Sequence, residues 1–214
     1  MAHSLFITFE GGEAAGKSTQ VNLLEKSLSN MGHKVIKTRE PGGAPGAEAL
    51  RNFLLFGPQD LSLRAEIMAH FSARCDHIDK TIQPALKEGK IVLCDRYYDS
   101  TSAYQGYGRA QGDPEILAFI EALKVQVRLM PNLTFYLHVP RTVAVARIKR
   151  RAHLTDRYES YDESYHQRVE EAFQSMALQE PKRFRTIDAT GSIENIHSEI
   201  LSEVSNLLHS GNSV

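Results

Sequence analysis

Leu5-Phe6-Ile7-Thr8-Phe9-Glu10-Gly11-Gly12-Glu13-Ala14-Ala15-Gly16-Lys17-Ser18 is the stretch whose reading decides the fold. The apolar run Leu5 to Phe9 has the length and composition of a buried strand. Residues 11–18 fit G-x-x-x-x-G-K-[ST], and a helical pattern follows. In that context the glycines let backbone N–H groups turn toward phosphate oxygens, and the next helix aims its positive end at them. Lys17 then reaches the β/γ oxygens, and the Ser18 hydroxyl is placed for Mg²⁺.

Working outward, apolar strand-like runs alternate with helical patterns, and there is no internal repeat. The expected strands are Leu5-Phe9, Lys34-Thr38, Ile91-Cys94, Leu133-Val139 and Arg185-Asp188. Strands that alternate with helices favour an α/β fold with a five-stranded parallel sheet and helices on both faces. Val21, Leu24, Leu28 and Met31 should line the inner face of the first helix. Leu61 to Lys87 reads as a long helix broken near Pro84. Ile193, Ile196, Ile200, Val204 and Leu207 should face inward on the last helix.

With 214 residues, one α/β domain spanning 1–214 can bury its own core without disulfides. The 25 basic and 26 acidic residues nearly cancel, which argues against bulk nucleic-acid or membrane binding and for small-molecule partners. Met1-Ala2-His3-Ser4 carries no basic leader pattern, and Cys75 and Cys94 read as small buried thiols, so a cytoplasmic setting is expected. The nine histidines show no metal-ligand spacing.

In such a sheet, ligands gather at the carboxyl ends of the strands. Asp95 closes the third strand, where a carboxylate can face the Ser18 hydroxyl across a metal, and Arg96 beside it can fork onto a phosphoryl group. Arg147, Lys149, Arg150, Arg151 and Arg157 crowd a segment poor in apolar anchors, read as a lid over about 148–160. Taken alone, such a run is a solvated basic face. His70, Phe71, Arg74, Thr101, Tyr104 and Gln105 form a group of ring and polar side chains suited to a flat base.

Phe9-Glu10-Gly11 with the phosphate loop, Thr38-Arg39-Glu40-Pro41-Gly42-Gly43, Asp95-Arg96-Tyr97 with Ser100, Ala103-Tyr104-Gln105-Gly106, Asp156-Arg157-Tyr158-Glu159 and Ile187-Asp188-Ala189-Thr190 resemble, in order, the signatures of the thymidylate kinase family. The resemblance runs nearly end to end. It implies a P-loop fold of the nucleoside monophosphate kinase type, transfer of the ATP γ-phosphoryl to dTMP, Mg²⁺ as cofactor and a homodimer. Gly11, Gly12, Glu13, Ala14, Ala15, Gly16, Lys17, Ser18 and Thr19 would then serve ATP, with Arg147 on adenine beside Ala189 and Thr190. Ser18 and Asp95 would serve the metal. Glu13 would also accept from the sugar 3′-hydroxyl, Arg51 and Arg96 would bind the acceptor phosphate, and Arg74 and Thr101 would read the base. Tyr104 would pack near C2′, with Glu40, Pro41 and Gln105 nearby.

Ala14 after Glu13, together with the arginine-rich lid, resembles the bacterial branch in which the lid supplies a catalytic arginine, with Arg150, Arg151 and Arg157 as candidates beside Lys17 and Arg96. One departure stands out. The family usually has a phenylalanine four residues before the base-reading arginine, and here that place is His70, with Phe71 one position later. About 100° of helix rotation separates the two, which favours His70 as the ring against the base. Two rival functions fit the sequence less well. A deoxynucleoside kinase would leave the phosphate-facing arginines without an acceptor phosphate, and a P-loop GTPase switch lacks its Asn-Lys-x-Asp reader.

Overall fold

The computed structural model describes residues 4–150 and 157–210. Five strands, β1 (Leu5–Glu10), β2 (Val35–Arg39), β3 (Ile91–Asp95), β4 (Leu133–His138) and β5 (Phe184–Asp188), form one parallel sheet in the order β2-β3-β1-β4-β5. Every strand lies within one residue of its expected start and end. β1 runs down the middle and is buried along its whole length, as expected of a strand covered on both faces.

Side-chain alternation along β1 divides the core. Leu5, Ile7 and Phe9 pack on one face with Val21, Leu24 and Leu28 of α1 (Lys17–Asn30) and Ile196, Ile200, Val204 and Leu208 of α9 (Ile193–Ser210). Phe6 points to the other face, against Ile67 and Phe71 of α3 (Leu63–His77) and Ile120 of α6 (Pro114–Val127). A third apolar group under α8 (Glu163–Gln179) joins Tyr104, Tyr136 and Phe173. Among the described residues the remaining α-helices are α2 (Pro45–Phe56), α4 (Gln83–Lys87), α5 (Tyr98–Thr101), which runs on into a π-helical segment, Ser102–Arg109, and α7 (Arg141–Lys149).

Several expectations shift. Met31 lies past the last turn of α1 and is exposed, and Ile193 opens α9 before it meets the sheet, so it too is exposed; Leu208 takes the buried position beside a half-buried Leu207. Cys94 is buried in β3, but Cys75 lies on the outer side of α3 and is exposed, because its neighbour Arg74 takes the inward place. The helical path does not break at Pro84. Between α3 and α4 the chain keeps right-handed helical angles through a π-helical segment, Ile78–Ile82. The wider hydrogen-bond spacing just before Pro84 gives room for a ring and a missing N–H that a regular α-turn would reject.

The order of strands places the ends of β1 and β3 side by side, with Phe9 paired to Asp95. The chain leaves β1 into residues 11–16 and leaves β3 into Arg96, so both loops open on the same edge of the sheet.

Candidate active site

Gly11 leaves β1 at φ 133°, where a Cβ would stand 2.5 Å from the Leu137 carbonyl oxygen; only glycine allows the loop this close to β4. Gly16 caps α1 at φ 96°, and Lys17 is the first helical residue, so the free N–H groups of the first turn face the loop's hollow. The Lys17 ammonium is buried and donates to the carbonyls of Gly11 (3.1 Å) and Gly12 (2.7 Å). Burial and the nearby Arg96 bring it down to about 8, against the pull of Glu13 and Asp95. From the first turn of α1 the Ser18 hydroxyl donates to Asp95 Oδ2 at the end of β3, at 2.5 Å.

This hydroxyl–carboxylate pair is all-oxygen and opens on the cavity. Among the described residues, no group of three or more His, Cys, Asp or Glu is placed to hold a metal unaided. The pair therefore fits a hard cation of the Mg²⁺ type that takes one or two protein oxygens and completes its shell with water and phosphate.

The loop borders a cavity of about 360 Å³ that runs from Lys17 and Asp95 past Arg96 and Arg51 to His70, Arg74 and Tyr158. Arg96 stands at its centre. Its backbone is held at φ 69°, a strained setting for a residue with a side chain. One guanidinium nitrogen donates to Gly11 O (2.8 Å) and Ser100 Oγ (3.2 Å), the other to Glu13 Oε1 (2.6 Å) and Tyr104 Oη (3.0 Å). The Tyr104 hydroxyl in turn donates to Glu13 Oε1 at 2.9 Å. Glu10, fully buried behind Arg96, accepts from Tyr97 N (2.7 Å) and from Ser100 Oγ (2.6 Å), which fixes the turn that carries Arg96.

Burial alone would raise the Glu13 carboxyl, but Arg96, Lys17 and the Tyr104 hydroxyl outweigh it and hold it down at about 2, from an ordinary 4.5. The contribution of Glu13 to stability is thus fully present above about pH 4.5 and is lost as pH falls toward about 2. Glu10 moves the opposite way, raised by burial and by Asp99, so its effect falls on the higher-pH side. Glu13→Gln should flatten the decline of melting temperature across the acid window, read by thermal unfolding at stepped pH; an unchanged acid limb would contradict this pairing.

At the far end, Arg74 donates from Nε to Glu40 Oε2 (2.7 Å) and from Nη2 to Thr101 Oγ1 (3.2 Å), while its buried Nη1 has no partner. Glu40 is held from behind by His77 Nδ1 (3.0 Å), whose Nε2 meets Thr38 Oγ1 (2.6 Å). A buried cation with an unused donor at a cavity wall is equipped to bond an acceptor on a flat ligand. Arg51 donates to Pro41 O at 2.8 Å. Gln105 lines the wall, and its amide donates to Glu66 (2.8 Å).

The two ring candidates separate. His70 lines the cavity; Phe71 turns into the apolar core under the Arg74 guanidinium, 4.6 Å from its carbon, and does not line it. Among the lid candidates, Arg157 donates to Gly57 O (2.7 Å) and Gln59 O (2.9 Å) and pairs with Asp60, away from the cavity lining. Arg150 is exposed at the end of α7, and Arg151 lies outside the described residues, as does the rest of the middle of the expected lid, residues 151–156. Arg147 donates to Ala14 O (3.3 Å) and Ala189 O (2.8 Å), which brings it, the phosphate loop and the β5 loop together. Thr19 and Thr190 are exposed, the latter in a turn capped by Asp188.

Glu66 and His77 escaped the sequence reading, and Glu10 and Tyr158 entered it only inside sequence signatures, without a place in the site. Glu66, His70, Arg74 and His77 recur at helical spacing on α3, a polar stripe that reads as a solvent face but is buried.

The chain matches the family model described as thymidylate kinase over residues 9–200. It is 53% identical over 200 residues to the thymidylate kinase of Gluconobacter oxydans, covering 94% of each chain, and 44% identical over 199 residues to that of Bartonella quintana, covering 91% of this chain and 92% of the relative. Among solved structures, the thymidylate kinase of Ehrlichia chaffeensis superposes with a TM-score of 0.75 at 34% identity, over 94% of this chain and 99% of that one.

Proposed function

The chain belongs to the thymidylate kinase family, and from that membership we infer that its cavity is where the ATP γ-phosphoryl meets dTMP. It is an ATP-dependent phosphotransferase that phosphorylates dTMP to dTDP, a step of nucleotide biosynthesis. The observation that carries the site assignment is the continuity of one cavity from the phosphate loop to the buried, half-used Arg74 fork, with Arg96 midway.

In this reading the donor phosphates lie in the loop 11–16 under the α1 N-terminus, and Lys17 leaves its two carbonyl partners to meet them. Ser18 and Asp95 are the residues that would hold Mg²⁺, which would supply charge neutralisation at the phosphates. Arg96 and Arg51 hold the dTMP phosphate so that its oxygen, already a nucleophile, lies in line with the donor. No general base is needed. Glu13 keeps Arg96 oriented and can accept from the sugar 3′-hydroxyl, and Tyr104 packs against the sugar. Arg74 offers its free Nη1 to the thymine carbonyl, with Thr101 and His70 completing the base wall. Arg147 supports adenine beside Ala189.

The domain is read as single over 1–214, with the arginine-bearing stretch at about 148–160 as its lid and Arg150, Arg151 and Arg157 as candidate donors to the moving phosphoryl. A homodimer is supported by exposed Met68 on α3 and Val125 on the adjoining α6. Small nucleotide substrates and two free thiols support a cytoplasmic setting. No helix of the described residues is long and apolar enough to cross a membrane.

Thermal protection tests the site. At a common concentration dTMP should raise the melting temperature more than CMP or thymidine does, because only dTMP fills both the phosphate and the base ends. Equal protection by thymidine would remove the phosphate roles given to Arg51 and Arg96.

A further inference from the structure

His70 does not stand alone at the cavity wall. Its Nε2 lies 2.8 Å from the Tyr158 hydroxyl, and the rings are 6.1 Å apart at a 40° tilt. The same hydroxyl lies 3.0 Å from Glu66 Oε1. Glu66 and His70 are four residues apart on the buried face of α3, so one phenol near the carboxyl end of the expected lid spans both. Glu66 has no exposed surface; Oε1 also takes the Gln105 amide, and Oε2 is paired with Arg109.

Donor counting fixes the direction of this chain. A paired carboxylate only accepts, so the single Tyr158 proton goes to Glu66. The Tyr158 oxygen can then only accept from His70, and Nε2 must carry the proton. We propose that Tyr158 and Glu66 are positioning residues for pyrimidine binding, which hold His70 as an Nε2–H imidazole at a set angle in the base wall.

A phenylalanine at this place would be oriented by packing alone. The histidine gives up apolar stacking area but gains a hydrogen-bonded anchor, so its plane is set by α3 and by the segment holding Tyr158 together. Burial and the adjacent Arg74 bring the ring well below an ordinary histidine, to about 3, in keeping with a neutral imidazole. The inference rests on the reading that His70 faces the base.

The test has two parts. In the wild-type holoprotein, long-range ¹⁵N–¹H correlation of labelled histidine should report His70 neutral at pH 7 with its proton on Nε2. Tyr158→Phe removes the bond and keeps the ring; it should raise KM for dTMP about fivefold, the worth of one neutral hydrogen bond. In the His70→Phe background, where no such bond exists, the same change should move KM by less than about twofold. His70→Phe alone should lower KM for dTMP through its greater stacking area. A proton on Nδ1, a charged ring, or equal Tyr158→Phe effects in both backgrounds would overturn the inference while leaving dTMP kinase activity intact. Failure of the wild-type protein to turn over dTMP would instead overturn the functional reading on which it rests.

Discussion

Arg96→Ala is expected to lower kcat/KM for dTMP by about a thousandfold, on the order of 4 kcal/mol. The guanidinium holds four oxygens, from Gly11, Ser100, Glu13 and Tyr104, and it is the cation at the middle of the cavity. Its removal takes away a fork for the acceptor phosphate. It also leaves the Glu13 carboxylate, 17% exposed, facing an incoming dianion with Lys17 as its nearest remaining positive partner. Both effects weaken dTMP binding and the transition state, so KM and kcat should each suffer. Arg96→Lys restores charge without the planar fork and should recover about tenfold at most. Steady-state kinetics with varied dTMP reads this directly, and a loss below about tenfold in Arg96→Ala would remove Arg96 from the reacting centre.

Lys17→Met should cost about a thousandfold in kcat and leave KM for dTMP within a few fold. Methionine keeps the stem's packing volume, so the fold should survive. The buried ammonium, now tied to Gly11 and Gly12 carbonyls, is the charge that would follow the γ-phosphoryl, and its stabilisation counts mainly when that group is in transit. The split between kcat and KM distinguishes it from Arg96, which serves the acceptor. Single-turnover measurement at saturating ATP and dTMP checks it, and a kcat within tenfold of wild type would contradict the role of Lys17.

The scaffold of this site was legible because it is local. A strand, a glycine turn and a helix start are written in consecutive residues, and the central strands β1 and β3 carry largely apolar runs that need no partner to be recognised. The ends of β1 and β3 meet through strand order, which the sheet rule anticipates, so Ser18 and Asp95 come together as expected. What stayed hidden depends on long-range partners. Glu66 and His77 complete a buried polar stripe with the expected His70 and Arg74, and periodicity alone turns such a stripe outward; its burial is sustained by Tyr158, Glu40, Thr101 and Thr38, up to 92 residues away. Pro84 misled for a related reason, since a π-helical segment absorbs it without a break. Choosing His70 over Phe71 for the cavity wall was within reach of helical period alone, whereas the hydrogen-bonded anchor behind it was not.

The most direct measurement is coupled ADP release from Mg·ATP with dTMP, dUMP, CMP and thymidine supplied separately. Turnover is expected with dTMP and little with CMP or thymidine, since only dTMP presents both a phosphate to Arg96 and Arg51 and a thymine to Arg74. Turnover with thymidine in preference to dTMP, or none with dTMP, would contradict it.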